Sequence, residues 1–274
     1  MSFWRRFRIN SRFSIALFFV LIPFIGMMVF SVIKEEADKD FTGKEIEGVH
    51  LNRAVMHLMR SVQDWRGALY SGRAAEAERE RYRAAWAELV RLKELYAEHL
   101  GLGEEFDRLL YPCTPDRLSD INAKSHCLQT TLALIDFVGN RSNLLFDPER
   151  LTYYFTDLLI LRLPALAEQV AHTRGRGAQA LARDTEADLR ETFIREEAML
   201  FLQEKKLKEI LGIISRIDGT VFAELEAESS LSHVSAFFRL LDETFVKQSQ
   251  RADSGDFFDS GSRALDGLYD LHNK

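Results

Sequence analysis

Proline and glycine are scarce in this chain of 274 residues, which contains only 5 prolines and 15 glycines. Runs of alternating β-branched residues between turn signals, the pattern typical of strands, are missing as well. The chain instead has long stretches rich in Ala, Leu, Glu and Arg, most of which favour helices. These features predict an all-α fold without a β-sheet.

The sequence also lacks the motifs that carry common catalytic chemistry. It has no HExxH zinc motif, no GxSxG nucleophile elbow, no phosphate-binding loop and no helix with paired carboxylates. Its 7 histidines are scattered without the spacing of metal ligands. We therefore expect no enzyme activity, no metal site and no cofactor.

Positive charge is in deficit, because 36 Lys and Arg stand against 42 Asp and Glu. Four of the basic residues lie within the first 12 positions, which leaves 32 against 42 in the remainder, a balance of -10. Such an excess of negative charge argues against nucleic acid or an anionic lipid surface as a partner.

One long apolar stretch, residues 13–33, contains 21 residues and no charged side chain. At about 1.5 Å per residue it reaches roughly 30 Å, the thickness of a bilayer's hydrocarbon core. Four arginines precede it, whereas residues 34–40 mix four acids with two lysines. Since basic flanks stay in the cytoplasm, we predict a cytoplasmic leader at 1–12, a transmembrane helix at 13–33 and an extracytoplasmic domain at 34–274.

Two other interpretations of this stretch are weaker. A cleaved signal peptide has an apolar region of about 7 to 15 residues that ends in a small-x-small site, and this stretch is longer and has no such site. A core helix of a soluble protein normally carries a polar face, which is absent here.

The chain has only two cysteines, Cys113 and Cys127, which are 14 residues apart in the extracytoplasmic part. In an oxidising compartment such a pair favours a disulfide over two free thiols. A metal site is the weaker alternative, because His126 adjoins Cys127 but no CxxC or CxxCH pattern is present.

Apolar residues at helical spacing predict a series of amphipathic helices after the span. The first continues the membrane helix to about Tyr70, and the others cover approximately 74–99, 104–111, 119–146, 147–182, 184–219, 234–250 and the stretch from 256 or 261 to 272. We expect Gly43 and Gly48 to kink or fray the first helix and Pro164 to kink another. Residues 229–232 are expected to break the chain before Val234.

Two segments share a pattern at an offset of 108 residues, Leu58-x3-Val62-x3-Arg66-Gly67 and Leu166-x3-Val170-x3-Arg174-Gly175. Chance matches of this kind are common in helical proteins. The repeat is nevertheless compatible with two stacked helical modules.

Both segments resemble parts of bacterial sensor proteins. Residues 61–72, SVQDWRGALYSG, resemble the Gln-x-x-Arg-Gly helix of nitrate/nitrite-sensing input domains. Residues 147–181, with a Tyr-Tyr pair, a proline and an Arg-x-x-Gly, resemble a helix common in periplasmic sensor regions of chemoreceptors, histidine kinases and diguanylate cyclases. One span followed by a long helical region is also similar to helical bimodular inputs, which are two stacked four-helix bundles.

This resemblance implies a single-pass protein of the bacterial inner membrane whose bulk lies in the periplasm. It would sense a small anionic or polar ligand, or a periplasmic binding protein, and pass the signal to the membrane by helix displacement in chemotaxis, two-component or cyclic-dinucleotide signalling. A homodimer is expected, because a second subunit would cover the apolar stripe of the first helix.

The candidate ligand contacts are Arg66, Gln63, Arg174 and Tyr154. An arginine offers rigid bidentate donors to a carboxylate or another oxyanion. Two alternatives stay open at this point. The arginines can be surface residues that pair with an acid such as Asp64, and the whole chain can be a membrane-anchored structural or adaptor bundle that binds another envelope protein.

Overall fold

The computed structural model describes residues 9–146 and 149–274, and every regular element in these ranges is helical, which confirms the all-α prediction. The α-helices are α1 (Ile9–Tyr70), α2 (Glu76–Leu100), α3 (Gly103–Leu110), α4 (Ile121–Arg141), α5 (Arg150–Thr156), α6 (Leu163–Ala182), α7 (Arg190–Ile217), α8 (Gly219–Glu224), α9 (Ala227–Leu241) and α10 (Ser254–Asn273). Short 3-10 turns follow α3 and α4, and π-helical turns follow α5 and α9.

Helix α1 is a single helix of 62 residues. In its first part the described residues include one window that is long and apolar enough to cross a membrane, with a mean hydropathy of 2.3 and none of its surface buried by the rest of the chain. The helix ends as predicted. Gly72 is left-handed there, and the amides of Gly72 and Arg73 bond to the carbonyls of Leu69 and Ala68 in a Schellman arrangement.

The two glycines that we expected to weaken α1 do not interrupt it. A Cβ on Gly48 would lie only 2.1 Å from the hydroxyl oxygen of Ser142, at the end of α4. The role of Gly48 is therefore a close approach of two helices rather than a bend.

Helix α10 runs antiparallel to α1. Arg60 of α1 bonds to Asp266 at 2.6 Å, while Arg73, just after the end of α1, lies 4.0 Å from Asp259, which is earlier in α10. The C-terminal end of α10 is thereby directed back towards the membrane end of α1.

Helix α6 runs parallel to α1. The side-chain amide of Gln63 in α1 donates to Glu168 in α6. Seven residues farther along each helix, the ring of Tyr70 lies against Gly175. Helices α2, α4 and α6 pack directly on the outer part of α1, and α10 reaches it through side-chain contacts. Helices from both halves of the chain thus share one hydrophobic core around α1, and the two stacked four-helix modules are not confirmed.

The apolar stripe of α1 is covered within the chain itself. The side chains of Val55, Leu58, Met59 and Val62 are fully buried by the neighbouring helices, and only Val49, at the start of the stripe, stays exposed. The homodimer remains a prediction, but an uncovered stripe on the first helix is no longer a reason for it.

The kink expected at Pro164 takes the form of a π-helical turn at Asp157–Arg162, just before the proline. Proline has no amide to donate to the carbonyl four residues earlier, that of Ile160, and its ring would clash there. Widening the preceding turn removes this conflict. The residues Asp147 and Pro148, where we expected this helix to begin, lie outside the described residues.

The expected break at residues 229–232 is wrong, since these residues lie inside α9. The chain turns instead at Asp218, whose carboxylate accepts hydrogen bonds from the first amides of α8, and at Glu226, which is left-handed. Within α9 the hydroxyl of Ser232 donates to the carbonyl of Ser229, so the serines are compatible with the helix.

The predicted disulfide is present between Cys113 and Cys127. Both residues are fully buried, and the bond joins the 3-10 turn after α3 to helix α4. Asp120 caps α4 through its carboxylate, which accepts the amide of Ala123 at 2.8 Å.

Replacing Gly267 by alanine is expected to destabilise the contact between α9 and α10. The added Cβ would lie 2.5 Å from the backbone oxygen of Ser230, which cannot move without shifting α9. Overpacking of this kind costs roughly 1–3 kcal/mol, measurable as a lower free energy of unfolding of the full chain in detergent. At Gly212 of α7 the nearest atom would be 3.7 Å away, and Gly212→Ala is expected to stabilise the helix by about 0.5–1 kcal/mol instead. Equal effects of the two substitutions would contradict this account of Gly267.

Candidate functional site

Arg66 lies on the inner face of α1 and is only 1% exposed. One terminal nitrogen, Nη1, donates to Glu168 Oε1 of α6 at 2.7 Å and lies 3.3 Å from the hydroxyl oxygen of Ser125 in α4. Its Nε and Nη2 atoms are buried and have no hydrogen-bond partner in the described part of the chain. Arg66 therefore ties three helices together while leaving two donors unused.

Arg174 occupies the matching position in the second copy of the repeat and is 2% exposed. It donates to the hydroxyl of Ser262 in α10 and to the backbone carbonyl of Gln63 in α1, and it lies 3.5 Å from Asp64. Its guanidinium stacks over Phe258, 4.6 Å from the ring centre. Burial lowers the pKa of Arg174 to about 10, so the side chain stays charged at neutral pH.

The glycines of the two Arg-Gly pairs make room for these contacts. A Cβ on Gly67 would lie 2.8 Å from Nη2 of Arg174, and a Cβ on Gly175 would lie 2.5 Å from the ring of Tyr70. The two copies of the repeated pattern thus pack against each other across the α1–α6 contact. The repeat has a structural meaning in this arrangement, because each glycine accommodates a side chain of the other segment.

Gln63 completes the cluster and is fully buried. Its amide nitrogen donates to Glu168 Oε2 at 3.0 Å, and its amide oxygen accepts the hydroxyl of Tyr269 in α10 at 3.0 Å. Burial raises the pKa of Tyr269, which keeps this hydroxyl a donor at physiological pH. We call Gln63, Asp64, Arg66, Glu168 and Arg174 the buried arginine cluster.

Tyr154 does not belong to this cluster. It is half-buried, packs against the hydrophobic core and contacts the ring of Tyr153 edge-on at 5.3 Å. It precedes Glu168 by 14 residues, which places it about 20 Å away along α5 and α6. Tyr154 therefore lies apart from the arginines, and its role as a ligand contact stays a prediction.

The interpretation of the two arginines as surface residues is wrong as well, since both are almost fully buried. Asp64 does pair with Arg174, but the partner of Arg66 is Glu168. Glu168, Tyr269 and Ser262 were missed by sequence reasoning. The one signal for Glu168 in the sequence is that it is the single acid of α6 and lies on its buried face. A buried carboxylate is normally paired, so its position indicates a positively charged partner.

An open groove of about 590 Å³ lies beside the cluster, between α1, α2 and α10. It is lined by two arginines and four carboxylates, which are Arg60, Arg81, Asp64, Glu88, Asp266 and Asp270. Arg66 and Arg174 do not line it. A ligand in this groove would meet mixed charge with an excess of negative groups.

The groove is connected to the cluster by two sets of contacts. Arg60 donates to Asp64 at 3.0 Å and to Asp266 at 2.6 Å, and Asp64 in turn faces Arg174. Tyr269, which lines the groove, bonds to Gln63. The groove and the buried arginine cluster therefore share contacts through Asp64 and through the Tyr269–Gln63 hydrogen bond.

A second polar group lies nearby between α6 and α7. Glu196 accepts the hydroxyl of Thr173 at 2.9 Å and a guanidinium hydrogen bond from Arg176 at 2.7 Å, and His172 lies 3.7 Å from it. Burial raises the pKa of Glu196 and lowers that of His172 to about 4. No group of three or more His, Cys, Asp or Glu suited to a metal ion occurs in residues 9–146 and 149–274.

Acid is expected to destabilise the fold through His172. Burial, followed by the charges of Arg66 and Arg176, lowers its pKa from about 6.5 to about 4. The unfolded chain binds this proton more readily than the folded chain does. The contribution of neutral His172 to the free energy of unfolding is therefore complete above about pH 6.5 and is lost as the pH falls towards 4. His172→Gln should flatten the decline of Tm across this range, whereas the exposed His126→Gln should leave it unchanged. The same decline in both variants would contradict the role given to His172.

The fold and this site define a class: an all-α bundle around one long helix whose first part is able to span a membrane. Comparison with known proteins does not refine it, because no protein-family model, curated protein or solved structure matches the chain.

Proposed function

We propose that this chain is the extracytoplasmic input module of a bacterial transmembrane receptor, anchored in the inner membrane with a cytoplasmic N-terminus and its bulk in the periplasm. The observation that supports this proposal best is the continuity of α1. One helix leads from the apolar span to the buried arginine cluster without a break. Arg66 lies 33 positions after Ile33, which corresponds to about 50 Å of helix.

The proposed signal is a change in packing between α1 and α10. A polar ligand in the groove would compete for Arg60 and Asp266, whose contact joins the two helices. If the ligand favours one packing of α10 over another, the difference reaches the membrane as a small displacement of these helices. Ligand binding and the displacement of α10 would then both result from the replacement of the Arg60–Asp266 contact by contacts with the ligand.

The groove lining favours a particular kind of ligand. Four carboxylates stand against two guanidinium groups, so a zwitterionic or polar compound is better matched than a simple anion. Nitrate and organic acids remain in the test set because the sequence resemblance implies them. Amino acids present both an ammonium group for the carboxylates and a carboxylate for the arginines.

A thermal-shift screen of the full chain in detergent with nitrate, organic acids and amino acids tests the proposal. A hit is expected to raise Tm, to lose its effect in Arg81→Ala, whose side chain lines the groove, and to keep it in Arg83→Ala, two residues away on α2 outside the groove. A hit should also change hydrogen exchange on α10. A hit that acts equally on Arg81→Ala and Arg83→Ala would place the ligand elsewhere.

The alternative function is a membrane-anchored structural or adaptor bundle. It is favoured by one observation, the exposed side chains of Met199, Phe201 and Leu202 on α7. Exposed apolar side chains are more frequent where a surface contacts another protein. The screen separates the two proposals, because an adaptor would give no hit.

A further inference from the structure

A second, smaller pocket lies closer to the membrane end of the bundle. Its volume is about 160 Å³, and it is enclosed by α1, α5, the π-helical turn, the 3-10 turn after α4 and the end of α10. Its walls are largely apolar and include Leu144, Phe155, Leu159 and Ile160. An engineered cavity of about 150 Å³ in another protein holds a benzene molecule, which sets the scale of a possible occupant.

Asn52 brings an unsatisfied amide into this apolar pocket. The side chain is 5% exposed, and neither its oxygen nor its nitrogen has a hydrogen-bond partner among the residues that the structure describes. Leaving a buried polar group without a partner costs roughly 1–3 kcal/mol, so proteins rarely do so. The amide is therefore available to a ligand that enters the pocket.

His272, at the end of α10, adds a second unsatisfied atom. Its Nδ1 is buried and has no partner within the described ranges. Burial, together with the positive charge of Arg53, lowers the pKa of His272 to about 4, so the ring is neutral at physiological pH. A neutral ring in the tautomer with hydrogen on Nδ1 can donate to an oxygen in the pocket.

Arg53 supplies a free positive charge at the edge of the same pocket. It is exposed, lines the pocket and makes no ion pair or hydrogen bond with any described residue. This distinguishes it from Arg60, Arg66 and Arg174, which are engaged with carboxylates. A guanidinium fork of this kind binds a carboxylate in preference to a neutral group.

The backbone beside the pocket is irregular. Leu159 and Ile160 belong to the π-helical turn that precedes Pro164. Such turns are frequent at functional sites because they redirect side chains within a helix. Here the turn contributes two of the apolar walls.

We propose that this pocket binds a small carboxylic acid with a compact apolar body, such as an aromatic or branched aliphatic acid. The apolar body lies against Phe155, Leu159 and Ile160, and the carboxylate accepts hydrogen bonds from Asn52 and pairs with Arg53. This site is separate from the groove at Arg60 and does not depend on the sensing role proposed above.

Isothermal titration of the full chain in detergent with benzoate tests the assignment, with empty micelles as the blank. Benzoate should bind saturably and more tightly than neutral benzyl alcohol, and benzylamine should not bind. Arg53→Ala is expected to weaken benzoate about ten-fold and to leave benzyl alcohol unchanged, because only the charge contact is lost. Arg83→Ala, which removes an exposed arginine on α2, should bind benzoate as the unaltered chain does.

A second variant tests the pocket interior. Asn52→Leu keeps the size of the side chain but removes the unsatisfied amide, so it should weaken benzoate at least ten-fold without lowering Tm. Asn140→Leu, at an exposed asparagine of α4, serves as its control. Absence of saturable binding up to about 10 mM would overturn the proposal. Benzoate binding that neither Arg53→Ala nor Asn52→Leu weakens would overturn it too.

Discussion

Glu168→Ala is expected to lower the free energy of unfolding by about 3–5 kcal/mol, because it leaves the buried guanidinium of Arg66 without its carboxylate. The same substitution removes the acceptor of the Gln63 amide, so two buried groups lose a partner together. Desolvated charges are costly when they are unpaired, and Arg66 cannot reach water from its position between α1, α4 and α6. Denaturant unfolding of the full chain in detergent measures the change.

Glu105→Ala is the matched control for this experiment. Glu105 pairs with Arg108 on the surface of α3, where both side chains are more than half exposed. Exposed pairs contribute about 0–1 kcal/mol, so this variant should unfold almost as the unaltered chain does. If Glu168→Ala had as small an effect as Glu105→Ala, the arginine cluster would not be what joins α1 to α6.

Removing the disulfide has the second large expected effect. In the chain-entropy model, a bond that closes a loop of the length between Cys113 and Cys127 contributes about 3 kcal/mol. The double variant Cys113→Ser, Cys127→Ser should therefore unfold more easily by about this amount. The effect should centre on the turn after α3 and the start of α4, which the bond connects.

Chemical reduction provides the control for the disulfide. Dithiothreitol should lower Tm of the unaltered chain towards that of the double variant and should have no effect on the variant itself. A Tm that is insensitive to both treatments would contradict the stabilising role of the bond.

Features with a local physical cause were predictable from the sequence. The apolar run at 13–33 predicted a long apolar helix, which the rest of the chain leaves exposed over residues 17–33, and the end of α1 at Tyr70 follows from the left-handed glycine at 72. The pairing of the cysteines was predicted from their number, two, and from the expectation of an oxidising compartment. Pro164 indicated a local irregularity, although not that it would be a π-helical turn.

The partners of the buried side chains were not predictable. Arg66 and Glu168 are 102 residues apart in sequence. Asp64, two residues from Arg66, offered a nearer apparent partner, yet Asp64 lies on the side of α1 that carries Arg60 and faces Arg174. Which helices surround α1 decides these pairings, and periodicity alone does not give the order of helices around a bundle.

The glycine-dependent contacts show the same limit. From the sequence, Gly48 is interpreted as a helix breaker. In the structure, Ser142, at the end of α4, occupies the space that a side chain at position 48 would fill. A glycine in a helix is therefore ambiguous between a bend and a close approach until the packing is known.

The central claim is that the helical bundle lies on the opposite side of the membrane from the arginine-rich leader. Fusions of the full chain at Lys274 to alkaline phosphatase and to green fluorescent protein, expressed in a bacterial cell, test it most directly. The account predicts an active phosphatase and a dark fluorescent protein, because only the former folds correctly outside the cytoplasm. A bright fluorescent fusion together with an inactive phosphatase fusion would contradict it.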